Sequence, residues 1–117
     1  MSDSILRDKS KELAISTIYL CRELKAKGVE SALVNQLLRS GTSVGANIHE
    51  AQYAQGTKDF ISKLEIALKE CNETDYWISL MYETNSLTEK EHSEFHGHCV
   101  NIRRMLVSSV NTMKEKL

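Results

Sequence analysis

His92, His96 and Cys99 fall at i, i+4 and i+7 within EKEHSEFHGHC, a spacing that can align three metal ligands on one face of a helix. Glu89-x-x-His92 in the same stretch has the Glu-x-x-His form used by di-iron helical bundles. Those bundles need two such motifs and two further inward carboxylates, and one copy is present here. Cys99 also lies on an apolar stripe, which makes it a core thiol with histidines at its edge. Phosphodiester cleavage is the other chemistry to weigh. Compact helical ribonucleases pair an Arg with a His after a gap of about four to six residues, so that both reach one phosphate. Here Arg39 and His49 have nine residues between them, and neither Arg103 nor Arg104 is followed by a histidine. No glycine-rich phosphate loop follows a strand, and no Ser or Cys has an evident base partner. Catalytic residues, a metal and a cofactor are therefore not expected.

The elements that carry these residues follow from composition and periodicity. The chain has 117 residues, no proline and five glycines, which favours long uninterrupted helices in one domain over residues 1–117. A hydrophobic fraction of 41% with 26% charged residues disfavours both disorder and membrane spanning. MSDSILRDKSKE has no signal-peptide h-region, and three cysteines without a CxxC pair fit reduced core thiols, so a cytoplasmic location is expected.

Four helices are predicted: about 4–27, stopped at Gly28; about 31–53; about 57–84, after Gly56; and from Thr88 to the C-terminus. Thr88-Glu89-Lys90-Glu91 has the form of a capping box. The third helix carries a seam of Phe60, Leu64, Ala67, Cys71, Thr74, Ile78 and Met81. The fourth carries Phe95, Cys99, Ile102, Leu106, Val110, Met113 and Leu117. Leu6, Leu13, Leu20, Cys21 and Leu24 form the stripe of the first helix, and Leu33, Leu37, Val44 and Ile48 that of the second. Gly41 and Gly45, four apart beside Val44 and Ile48, let a neighbouring helix approach closely. Short connections between amphipathic helices give an all-α, antiparallel up-down-up-down four-helix bundle.

A second face runs along two of these helices. Gln36, Arg39, Ser43, Asn47 and Glu50 form a polar line on the second, away from its apolar stripe; Ile66, Glu70, Glu73, Trp77 and Leu80 form a line on the third. Ile5, Ile15 and Tyr19 also lie off the seam of the first helix. Apolar residues on two sides of a helix suggest burial on two sides, hence contacts between subunits; the alternative is scattered exposed apolar residues.

RSGTSVGANIHEA, followed by FISKLEIALKECNETDYWI, resembles the four-helix-bundle family encoded in intervening sequences of bacterial 23S ribosomal RNA genes. Arg39, Ser43, Asn47, Ile48, Glu50, Phe60, Ile61, Leu64, Ile66, Ala67, Glu73 and Tyr76 match its pattern. Ala51 stands where the family commonly has Gly, and Glu70 where a Ser is common. The resemblance implies a small cytoplasmic bundle that assembles into a ring, commonly a pentamer. It also implies kinship with the accessory protein of diversity-generating retroelements, which binds a reverse transcriptase and nucleic acid through a basic surface. Within such a bundle Arg39, Ser43, Asn47 and Glu50 would be hydrogen-bonded within or between subunits, with Glu73 or Glu70 as the charge partner of Arg39.

Charge gives a nucleic-acid partner a local address. Net charge is -1 overall, yet residues 1–29 hold six basic and four acidic side chains, while residues 57–85 hold three basic and six acidic ones. Arg7, Lys11, Arg22, Lys25 and Lys27, with Arg103 and Arg104, form the expected nucleic-acid-binding patch; the alternative is a solvated mixed-charge surface. A ring would repeat that patch on each subunit. The expectation is thus a homo-oligomeric, non-enzymatic scaffold for RNA or a nucleic-acid-processing protein, with no membrane contact. Its interface is expected to include Ile66, Glu73, Trp77 and Leu80. The alternative function is a small all-helical ribonuclease or a metal-dependent enzyme.

Overall fold

The structure, a computed structural model, describes residues 2–117 as four helices: α1 (Ser2–Ala26), α2 (Ser31–Ala51), α3 (Thr57–Glu83) and α4 (Glu89–Lys114). Each boundary has a local cause. At the end of α1, Gly28 takes φ +81°, its N–H donates to the Lys25 carbonyl at 3.0 Å, and the Val29 N–H donates to the Leu24 carbonyl at 3.0 Å. This pair of bonds satisfies carbonyls the helix leaves open, and glycine is the residue that adopts the required left-handed conformation without cost. Asn85, at φ +66°, closes α3 by the same device, with Ser86 N–H donating to the Met81 carbonyl at 2.8 Å. The Thr88–Glu91 capping box opens α4: the Glu91 N–H donates to Thr88 Oγ1 at 3.1 Å, and the Thr88 N–H donates to Glu91 Oε1 at 2.8 Å.

Each helix packs on two others. α1 touches α2 and α4, and α3 touches α2 and α4, so α1 and α3 lie diagonally across the bundle, as do α2 and α4. The core runs along the inside, from Leu6, Leu13, Leu20 and Leu24 through Leu37, Val44, Ile48, Leu64, Ile78 and Met81 to Phe95, Ile102 and Leu106. The seams differ from expectation in four places. Ile61 rather than Phe60 is buried at the start of α3, and Val34 rather than Leu33 at the start of α2. Where two adjacent residues are both apolar, the crossing angle of the neighbouring helix selects one, and no periodicity within a single helix contains that angle. Met113 is half-buried and Leu117 exposed, because α4 ends at Lys114. The second helix stops at Ala51, two residues short of the expected Tyr53.

Small polar residues complete the core. Ser10, Thr17, Ser40 and Thr74 are buried, and each hydroxyl donates to a carbonyl of its own helix, Thr17 Oγ1 to Leu13 at 2.7 Å among them. Their burial therefore leaves no polar group unpaired. Gly41 faces Thr17 and Gly45 faces the Ser10 backbone: a Cβ at Gly41 would stand 2.6 Å from both Thr17 Cγ2 and Oγ1, and one at Gly45 would stand 3.2 Å from the Ser10 carbonyl oxygen. The glycines of RSGTSVGANIHEA are the reason α1 and α2 come so close.

Candidate functional site

The polar line of α2 is a clamp onto α3. Arg39 Nη1 donates to Glu70 Oε1 at 2.9 Å, Arg39 Nη2 to Glu73 Oε1, and Arg39 Nε to Gln36 Oε1 at 3.2 Å. Both expected charge partners are engaged at once, and these hydrogen bonds hold the guanidinium more firmly protonated than usual. Trp77 Nε1 donates to the same Glu73 oxygen at 3.2 Å, so the carboxylate joins α2 to the indole of α3. Ser43 donates to the Arg39 carbonyl at 2.6 Å and Asn47 to the Ser43 carbonyl at 2.9 Å, both within α2. Glu50 lies 3.8 Å from Lys63. Every member of the line is thus placed within one chain. The Arg39 side chain is 45% exposed, so water weakens these pairs and their main effect is to fix the register of α2 on α3.

A second polar cluster joins α3 to α4. His96 Nδ1 lies 2.8 Å from Asp75 Oδ1; the carboxylate accepts, so the proton of this bond belongs to Nδ1. Arg103 donates to Asn72 Oδ1 at 2.9 Å and stands 3.7 Å from Asp75 Oδ2. The His92 ring stacks between Tyr82, at 4.3 Å, and His96, at 5.9 Å. Cys99 is on the other side of α4, fully buried, where its carbonyl accepts from the Cys71 thiol at 3.4 Å. The Cys71 thiol beside it and burial raise the Cys99 thiol far above its usual range. The triplet His92, His96 and Cys99 is therefore split between surface and core, and among the described residues no three His, Cys, Asp or Glu side chains gather as a metal-ligand set. The Asp75–His96–Arg103 cluster was not anticipated. Its signal was present in the seven-residue spacing of His96 and Arg103 and the three-residue spacing of Asn72 and Asp75, which put each pair on one helical stripe.

Of the expected basic patch, Arg7, Lys11, Arg22, Lys25, Lys27 and Arg104 are exposed, whereas Arg103 is half-buried and committed to α3. Arg7 and Lys11 line a groove of ≈ 450 Å³ between α1 and α2, with His49 and Asp8 at its rim and Ala14, Gly45 and Ala46 in its wall. Small residues open this groove for the same reason they allow the close crossing. Arg22 lies over the Tyr19 ring, 5.5 Å from its centroid.

The off-seam apolar residues separate into two groups. Trp77 and Leu80 are half-buried within their own chain, Trp77 against the core, which removes them from the set left in water. Ile66 at 39%, Tyr76 at 58%, Ile15 at 47% and Tyr19 at 61% exposure remain, together with Ile5. Tyr76 was part of the motif yet not of the expected interface; a tyrosine next to a tryptophan on one helix must face another way.

Comparison with known proteins follows the architecture. A solved structure described as a protein with unknown function from the S23 ribosomal protein family of Bacteroides thetaiotaomicron VPI-5482 is 41% identical and superposes with a TM-score of 0.92, over 95% of this chain and 99% of that one. The search of curated proteins finds no match. Residues 2–108 match the family described as 23S rRNA-intervening sequence protein. With four helices in this order, the Arg39 clamp between α2 and α3, and a match over nearly the whole chain, the protein belongs to the 23S rRNA-intervening sequence protein family.

Proposed function

We propose that the protein is a non-enzymatic, homo-oligomeric scaffold that holds RNA on the basic side of α1, acting in the cytoplasm. Its subunits are antiparallel up-down-up-down bundles arranged as a ring, a pentamer by family resemblance. The cross-helix pairs support the antiparallel reading: Arg7 meets Gln52 while Cys21 meets Val34, and His96 meets Asp75 while Lys114 meets Glu65, so one helix descends as its partner ascends. No helix is long and apolar enough to cross a membrane among the described residues.

The observation that carries the RNA reading is the exposed basic row Arg7, Lys11, Arg22 and Lys25 beside the α1–α2 groove. Residues at these spacings share one side of α1, and a helix edge next to a groove can follow a phosphate backbone. In the two polar clusters Arg39 ties α2 to Glu70 and Glu73, while Asp75 and Asn72 tie α3 to His96 Nδ1 and Arg103 of α4, which gives these side chains a part in holding helices together. The test is fluorescence anisotropy with a structured RNA across a salt series. Binding at low ionic strength should weaken linearly in log–log form, with a slope near 0.9 for each phosphate neutralised. Lys11→Glu with Lys25→Glu should abolish it, and Arg104→Glu should weaken it. Arg103 is left out of the test because its charge holds α4 to Asn72 and Asp75. Absence of binding at low salt, or binding untouched by the Lys11/Lys25 reversal, overturns the reading.

A further inference from the structure

We infer that α1 carries a track for unpaired RNA, with the α1–α2 groove taking one guanine base out of the strand. This inference rests on the RNA reading above and adds what the surface recognises. The groove of ≈ 450 Å³ is within the size range of small-molecule pockets, and the small side chains of its wall, Ala14, Gly45 and Ala46, leave room for a planar ring. Arg7 and Lys11 stand on its α1 side and His49 on its α2 side. Gln52 braces Arg7 from α2, its Oε1 accepting from Arg7 Nη1 at 3.2 Å. Further along α1, Ile15, Ile18, Tyr19 and Arg22 line a shallower depression, where Arg22 lies 5.5 Å from the centroid of the exposed Tyr19 ring. Groove, depression and basic row thus follow one another along one helix, and from Arg7 to Lys25 the row runs about 27 Å along its axis.

Three features point to an unpaired strand and to guanine. The first is Asp8, which borders the groove beside Arg7 and Lys11; a row that only neutralised phosphates would gain nothing from a carboxylate there. Among the described residues Asp8 and Lys11 form no ion pair, with each other or with a third group, so both can turn to a ligand. An ionised carboxylate has two acceptor oxygens and no donor, and guanine is the base whose Watson–Crick edge offers two adjacent donors, N1–H and N2–H, beside an acceptor, O6. Asp8 accepting from the two donors and Lys11 donating to O6 complement that edge, while the guanidinium of Arg7 holds the phosphate. The second feature is the exposed Tyr19 ring: it offers a face on which a base can stack, and a duplex keeps its base faces covered. The third is the His49 ring at the groove's rim, set against Tyr53 with centroids 5.5 Å apart, which gives the groove an aromatic edge of its own. A base that has no partner enters such a groove at the least cost, because no pairing is given up.

Fluorescence anisotropy tests this with single-stranded RNA of about twelve nucleotides, either all uridine or uridine with one central guanosine. The guanosine strand should bind roughly tenfold or more tightly. Inosine at that position, which lacks the N2 amino group, should fall between the two, and annealing the guanosine strand to its complement should remove its advantage. Asp8→Asn should bring the two strands within about twofold of each other, because an amide keeps only one acceptor oxygen. Ala46→Leu, at an exposed position, fills the groove and should do the same. Tyr19→Ala should weaken both strands roughly fivefold or more. Free GMP should compete roughly tenfold or more weakly than the guanosine strand, since it lacks the neighbouring phosphates that reach Arg22 and Lys25. Circular dichroism confirms the helices of each variant. Equal affinity of the parent chain for the two strands, or a guanosine preference that survives Asp8→Asn and Ala46→Leu, would overturn the groove assignment while leaving RNA binding intact. Tighter binding of the annealed duplex, or a Tyr19→Ala variant that binds as the parent does, would overturn the unpaired track. Free GMP that binds as tightly as the strand would overturn the RNA assignment of the groove in favour of a free nucleotide. Failure of both strands and of structured RNA to bind at low salt would instead overturn the RNA reading itself.

Discussion

Gly41→Ala tests the reason for the close crossing of α1 and α2. Two effects oppose each other. Alanine in place of glycine inside a helix gains about 1 kcal/mol in propensity. Against it, the new Cβ would stand 2.6 Å from Thr17 Cγ2 and Oγ1 and 3.0 Å from Thr17 Cβ. Thr17 is fully buried, is β-branched, and has its hydroxyl bonded to the Leu13 carbonyl at 2.7 Å, so it has little room to turn away. Overpacking of this kind costs about 1–3 kcal/mol, and the net result should be a loss of up to about 2 kcal/mol. Thr17→Ala removes both offending atoms. In that background Gly41→Ala should recover its propensity gain of about 1 kcal/mol, a coupling of about 1–3 kcal/mol between the two sites. Gly45→Ala is the control: its contact is with the Ser10 carbonyl at 3.2 Å, which Thr17→Ala does not relieve. Urea unfolding followed by helical circular dichroism, at fixed protomer concentration because association would add to stability, measures all of these. If Gly41→Ala stabilises by the full propensity term, or the double variant is additive within about 0.5 kcal/mol, the close-approach argument is refuted.

Three further outcomes are expected. Thr88→Ala should cost about 1 kcal/mol, because the Glu91 N–H loses its acceptor at the start of α4; an unchanged urea midpoint would contradict the capping assignment. Burial pushes the Cys21 thiol from 9.0 up to about 11, so its contribution is fully present below pH 9 and is lost as pH rises towards about 11. Folding stability should therefore fall by roughly 2–3 kcal/mol over that interval, and Cys21→Ala should flatten the fall; an equal slope in the variant would remove Cys21 from the account. Arg39→Met leaves the Glu70 and Glu73 carboxylates together without their cation and should cost about 1 kcal/mol, given how exposed the guanidinium is. Adding Glu73→Gln should return part of that loss in the same urea titration, and a second variant no better than the first would argue against charge as the cause.

The helices themselves were legible in the linear chain because their signals are local. Gly28, the Thr88–Glu91 box and the spacing of Leu64, Ala67, Cys71 and Ile78 each act within a turn or two of one helix, and the observed boundaries follow them. Arg39 and its two glutamates could also be named in advance, because the stripe on α2 and the stripe on α3 can meet only if the helices are neighbours. What depended on the tertiary structure was every choice between two locally equivalent residues. Ile61 over Phe60, Val34 over Leu33, and the partial burial of Trp77 beside an exposed Tyr76 are set by how far the neighbouring helix is rotated and how closely it approaches. The same holds for Arg103: from sequence it is one more cation, and Asn72 and Asp75, 31 and 28 residues earlier in the chain, make it part of the α3–α4 contact. Periodicity within a helix states which face is apolar. It carries no information about the azimuth of the next helix, and that azimuth decides whether a side chain holds the bundle together or remains available to a partner.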